Sequence, residues 1–91
     1  MTDARPLLLF FSSARSGPAR RMESLLAHIA RKERDRVRVV QVDLDDRSDL
    51  AEKLRVEQAP TIVLVQERKA VGRLVGRASR PEIEALIARH V

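Results

Sequence analysis

The side chains able to do chemistry in this sequence are a serine in a Gly-Pro turn, two histidines, a run of aspartates and a group of arginines. Ser16 lies in Ser16-Gly17-Pro18-Ala19. A serine nucleophile needs a base within hydrogen-bond reach and a third group to orient that base. The only histidines are His28, about three turns along the helix that follows the serine, and His90, beside the C-terminal residue. Neither is placed to reach the turn, and both read as surface side chains on polar helix faces. Serine hydrolase chemistry is therefore rejected. Asp43-Leu44-Asp45-Asp46 has the look of a carboxylate site for Mg²⁺, but such chemistry needs further ligands from other loops, and no motif supplies them. The end of a strand followed by capping of a helix by Asp45 or Asp46 explains these residues instead. Neither a metal nor another cofactor is expected.

Arg15, Arg20 and Arg21 surround the start of the helix that opens at the Gly-Pro turn, where the dipole and unpaired amides already favour an anion. A phosphate, a carboxylate or an acidic partner loop would suit them. A solvated arginine cluster is the plainer alternative. The chain carries 18 basic against 13 acidic residues, a net charge of +5, which favours acidic partners without naming one. Binding of nucleic acid is disfavoured: acids are scattered among the basic residues, and Trp and Tyr, the usual stacking platforms, are absent. Cysteine is absent too, which removes disulfides, thiolate metal sites and thiol redox cycling together.

The elements that position these residues are legible from hydrophobic period. An unbroken apolar run, Leu7 to Phe11, reads as a strand over 6–11 covered on both faces. Met22, Leu25, Leu26 and Ile29 form the stripe of an amphipathic helix over 18–34, with Pro18 in its first turn. A β-branched run over 37–43 is the second strand, and the intervening helix marks a βαβ unit with parallel strands. A helix over 47–55, with Leu50 and Leu54 on one face, leads to Pro60 and the strand Ile62 to Val65. Gln66 to Lys69 make a polar turn, Ala70 to Val75 the hairpin partner, and Gly76 ends it. Ser79-Arg80-Pro81-Glu82 is a capping box before a last helix with Ile83, Leu86 and Ile87 buried. The order β-α-β-α-β-β-α fills residues 1–91 as a single domain. No signal peptide opens the chain and no apolar run is long enough for a membrane span, which points to the cytoplasm.

This order resembles the thioredoxin superfamily over nearly the whole chain. Phe11 to Met22 is similar to the stretch around that family's Cys-Gly-Pro-Cys motif. Val42-Asp43-Leu44-Asp45 resembles its strand end before a helix, Arg55 to Thr61 the segment bearing its cis-proline, and Gly76 its glycine after the last strand. The resemblance implies an α/β, thioredoxin-like fold: a four-stranded mixed sheet flanked by three helices, without the N-terminal strand and helix of longer members. It also implies a cis Ala59–Pro60 bond and a groove for extended peptides lined by Arg15, Ser16, Pro18, Ala59 and Pro60.

The departures from that pattern decide the function expected. Ser16 and Ala19 occupy the two cysteine positions, leaving a degenerate redox motif of Ser16, Gly17, Pro18 and Ala19. Phe10 stands where a buried Asp is usual, Gln41 where a Lys is, and Arg15 where a Trp is. Neither a hydroxyl nor a methyl can form a mixed disulfide. The reading is a non-redox, non-catalytic protein- or peptide-binding module with an acidic partner favoured. The alternative is a thiol–disulfide oxidoreductase whose two cysteines were substituted, and a third reading is an anion or nucleic-acid binder through the basic face. A homodimer through the 37–43 edge strand is also open. There Val37, Val39 and Val42 would support pairing, and Arg36 and Arg38 would oppose it.

Overall fold

A computed structural model describes residues 4–91. Its elements are β1 (Leu7–Ser12), α1 (Gly17–Arg21), α2 (Glu23–Lys32), β2 (Arg38–Asp43), α3 (Ser48–Lys53), β3 (Thr61–Gln66), β4 (Lys69–Val75) and α4 (Arg80–His90). They form one mixed sheet in the order β2-β1-β3-β4, with β1 parallel to β2 and the other neighbours antiparallel. The N-terminal reading of Met1 to Asp3 lies outside the described residues.

Alternation along β1 divides the core into two layers. Leu8 and Phe10 join Met22, Leu26, Ile29, Ile62, Leu64, Ile83 and Ile87 on the face covered by α2 and α4. Leu9 and Phe11 join Val42, Ala51, Val56 and Val63 on the face covered by α3. This two-sided burial is why β1 reads as continuous apolar sequence. Phe10 and Phe11, the chain's two aromatic residues, are both fully buried. Gly72 sits where α4 approaches the sheet: a Cβ there would lie 2.6 Å from Leu86 Cδ1, closer than carbon atoms approach.

Two sequence expectations need correction. The helix expected over 18–34 is interrupted at Met22, whose N–H reaches back to the Ala19 carbonyl at 3.1 Å, a bond across three residues that tightens the turn. Leu26 N–H then bonds to the Met22 carbonyl at 2.9 Å and the α pattern resumes. Capping by Asp45 or Asp46 does not occur either. The residue before α3 is Arg47, with no side-chain cap. Asp43 Oδ1 accepts the Asp45 N–H at 2.8 Å, and the Asp45 carboxylate accepts the Ser13 hydroxyl at 2.8 Å. These aspartates shape the turn leaving β2 and tie it to the loop after β1. Asp49, in the first turn, bonds the Leu50 amide and faces Arg47, so its carboxyl titrates below the ordinary range.

The other boundaries agree within a residue or two. Ser79 and Glu82 form the capping box: the Ser79 hydroxyl accepts the Glu82 N–H at 3.3 Å, and Glu82 Oε1 accepts the Ser79 N–H at 3.0 Å. Between β3 and β4 the turn residues Glu67 and Arg68 both have positive φ, 51° and 68°. That sign at both central positions is the primed geometry that suits the twist of a hairpin.

Candidate functional site

The C-terminal end of β1, the start of α1, the loop before β3 and the end of β4 converge on one patch. After Ser12 the chain turns tightly. Ser16 N–H bonds to the Ser13 carbonyl at 3.0 Å, and Arg15 N–H to the Ser13 hydroxyl at 3.2 Å. Ser16 is then extended (φ −103°, ψ 106°) and caps α1, its Oγ accepting the Ala19 N–H at 3.1 Å. The same hydroxyl donates to the Ala59 carbonyl at 3.2 Å. One oxygen thus stops the helix and ties its start to a loop 43 residues away.

The opposing loop is equally fixed. Thr61 Oγ1 donates to the Gln58 carbonyl at 2.7 Å, and the Ala59–Pro60 peptide is cis. The Pro60 carbonyl accepts the Gly76 N–H at 2.8 Å. Gly76 has φ +84°, a conformation that side chains with a Cβ rarely adopt. Three chain segments are therefore joined through Ser16, Ala59, Pro60 and Gly76.

Exposure separates the residues that face solvent from those that support them. Arg15 and Gly17 are exposed, and Ser16, Pro18 and Ala59 are half-buried. Ala19 and Pro60 are buried, so they hold the surface in place and contribute little of its face. Val75 is the residue missed from sequence. It pairs with Thr61 in the sheet register and is 58% exposed, an apolar side chain left at the rim beside the Pro60 loop. The signal that could have found it is its position directly before Gly76, whose backbone turns toward Pro60.

The arginines do not gather at one point. Arg20 and Arg21 share a shallow depression with Gly17 and Glu23, and the Arg21 guanidinium folds back over Gly17. Arg20 also borders a hollow lined by Ser13, Glu23, Gln41 and Asp43, where two carboxylates offset its charge. Arg15 lines neither depression. Among the described residues no group of three or more His, Cys, Asp or Glu is placed to hold a metal. His28 is exposed on α2 and His90 is half-buried at the end of α4. A cavity of about 770 Å³ lies at the other end of the sheet and shares no residue with the Ser16–Pro60 patch.

What the arrangement can do follows from its atoms. It offers backbone carbonyls, a hydroxyl with both bonding roles occupied, apolar contacts and one exposed guanidinium. It holds no thiol, because the chain has none. A mixed βαβ–ββα sheet with a Gly-Pro helix start facing a proline loop defines a thioredoxin-like domain. Comparison with known proteins agrees: the thioredoxin family model matches residues 1–89, and the chain belongs to the thioredoxin family. It is 36% identical over 81 residues to Thioredoxin H2-1 of Oryza sativa subsp. japonica, covering 89% of this chain and 57% of that protein. It is 32% identical over 87 residues to the TPR repeat-containing thioredoxin TDX of Arabidopsis thaliana, covering 96% of this chain and 22% of that protein. The chain thus spans less than two thirds of these two relatives. Among solved structures, thioredoxin NaTrxh from Nicotiana alata superposes with a TM-score of 0.86 at 30% identity, covering 98% of this chain and 76% of that one. No helix of the described residues is long and apolar enough to cross a membrane.

Proposed function

We propose that this chain is a non-redox thioredoxin-like module that binds an extended polypeptide across Arg15, Ser16, Pro18, Ala59 and Val75. The observation that carries the reading is the Ser16 hydroxyl, which accepts from Ala19 and donates to Ala59 at 3.1 and 3.2 Å. Those two bonds hold the facing loops together with no sulfur present. A polypeptide running alongside residue 59 would meet backbone groups in the manner of strand addition, which supplies affinity through main-chain bonds and selectivity through alternate side chains. Val75 and Pro18 give it apolar contact, and Arg15 favours an acidic residue on the ligand.

Support also comes from what replaces the usual redox shell. Phe10 is fully buried and packs with Leu26, Ile29 and Ile62, so the position that carries a proton-transferring acid in the family is part of the hydrophobic core here. Such a substitution suits a domain selected for shape more than for electron transfer.

The test is selection of extended twelve-residue peptides from a displayed library on the immobilised chain, followed by titration of the selected sequences. Peptides carrying an acidic residue are expected, and their affinity should fall in Val75→Glu and in Arg15→Glu. Val75 and Arg15 are both exposed, so folding is not at issue in these variants. Selected peptides that bind all three proteins equally would overturn the assignment of this surface.

A further inference from the structure

The outer edge of the sheet carries a separate surface. β2 is bonded to β1 on one side, and among the described residues no strand lies on its other side. The bonds from Arg38 N–H to the Pro6 carbonyl (2.9 Å) and from Leu44 N–H to the Ser12 carbonyl (2.8 Å) fix which backbone groups turn inward. By alternation in a parallel ladder, residues 38, 40, 42 and 44 bond toward β1, and Val39 and Gln41 direct their N–H and C=O outward. Among the described residues neither Val39 nor Gln41 makes a backbone bond outside that ladder.

Charge is graded along the same strand. It enters through Arg34, Asp35, Arg36 and Arg38 and leaves through Asp43, Asp45 and Asp46 before Arg47. The start is net basic and the end net acidic. Arg36 already pairs with Glu33 at 3.0 Å, and Asp45 holds Ser13, whereas neither Arg38 nor Asp46 forms an ion pair among the described residues. A strand so graded is complementary to itself only when the second strand runs the opposite way.

We propose that β2 is a self-recognition edge, which pairs antiparallel with β2 of a second copy about a two-fold axis through Gln41. This inference is independent of the peptide-binding reading. In that register Gln41 lies opposite Gln41 of the second copy, and Val39 lies opposite Asp43. Only registers that pair outward groups with outward groups form the ladder. Here the two Gln41 residues exchange both bonds, and each Asp43 N–H meets the Val39 carbonyl of the other copy, the Asp43 carbonyl being held by the Asp46 and Arg47 amides of its own turn. Val40 then stands over Val42 of the second copy on one face, and Arg38, at the basic start of the strand, lies beside the acidic turn 43–46 at the end of the other. Both contacts occur twice, because the interface is isologous. The result is one continuous sheet of eight strands. Parallel apposition would set basic end against basic end and is excluded on the same grounds.

Sedimentation of the whole chain over a concentration series tests this, with amide hydrogen exchange as a second readout. The wild type is expected to form a dimer of its 10.3 kDa chain, with protection of the Gln41 and Asp43 amides rising as the dimer forms. Arg38→Asp should weaken dimerisation about 30-fold, since its two symmetric contacts with the acidic turn change from attraction to repulsion. Asp46→Arg should do likewise, and the two substitutions together should restore it. Gln41→Pro removes an outward donor without touching the β1 ladder, and should give a folded monomer. A wild type that stays monomeric at every concentration overturns the proposal. So does a dimer indifferent to Arg38→Asp and Gln41→Pro, or a double charge exchange that fails to recover the dimer.

Discussion

Replacing Ser16 by Ala removes one oxygen and leaves the backbone free to keep its path. Two bonds are lost: the cap on the Ala19 amide at 3.1 Å and the link to the Ala59 carbonyl at 3.2 Å. Loss of a serine cap costs about 1 kcal/mol, and a part-buried hydrogen bond contributes about 1 kcal/mol. The sum is about 2 kcal/mol, or a fall in Tm of roughly 8–16 °C for a domain of this size. Thermal and urea denaturation followed by far-UV circular dichroism would measure it, with Ser16→Thr as the control that keeps the hydroxyl. The threonine variant should lose less than half as much. Faster exchange at the Ala19 amide in Ser16→Ala, beyond that explained by global stability, would locate the effect. A Ser16→Ala protein within about 0.5 kcal/mol of wild type would refute the view that this hydroxyl ties the two loops together.

Three further outcomes follow from the same geometry. Gly76→Ala should cost about 1–2 kcal/mol in urea denaturation, because φ is +84° while the nearest atom to a new Cβ is 3.9 Å away, so the penalty is one of backbone alone. Ser16→Cys with Ala19→Cys should reduce insulin disulfides about 100-fold more slowly than an ordinary thioredoxin assayed in parallel, because buried Phe10 supplies no proton acceptor. Turnover matching that thioredoxin would favour a disabled oxidoreductase. Glu82 accepts the Ser79 amide first and the Ser79 hydroxyl second, which holds its carboxyl below the usual 4.5. Its folded pKa is depressed, so its stabilising effect is complete above the unfolded value and is lost as pH falls through the folded one. Denaturation midpoints across that acidic range should fall less steeply in Glu82→Gln.

Much of the architecture was legible because period and caps act locally. The two-faced burial of β1, the stripe Met22-Leu26-Ile29 and the Ser79–Glu82 box each follow from residues within a few positions of one another. The interruption at Met22 was not legible, since the apolar spacing continues through it while the hydrogen-bond pattern changes. Asp45 departs from its local rule for a different reason. An acid ahead of a helix satisfies the local rule for a cap, but its carboxylate is taken by Ser13, 32 residues away. The Ser16–Ala59 bond is likewise invisible without the fold, although both residues were picked out as neighbours through the family resemblance. Val75 escaped notice because its residue type suggests burial, whereas its position at the end of β4 leaves it at the rim.

The most direct test of the binding account is an amide chemical-shift titration of the isotopically labelled chain with one selected acidic peptide. The account predicts saturable shifts concentrated at Arg15, Ser16, Ala19, Ala59, Val75 and Gly76, with the far end of the sheet around Arg68 unmoved. Shifts centred elsewhere, or none at saturating peptide, would contradict it.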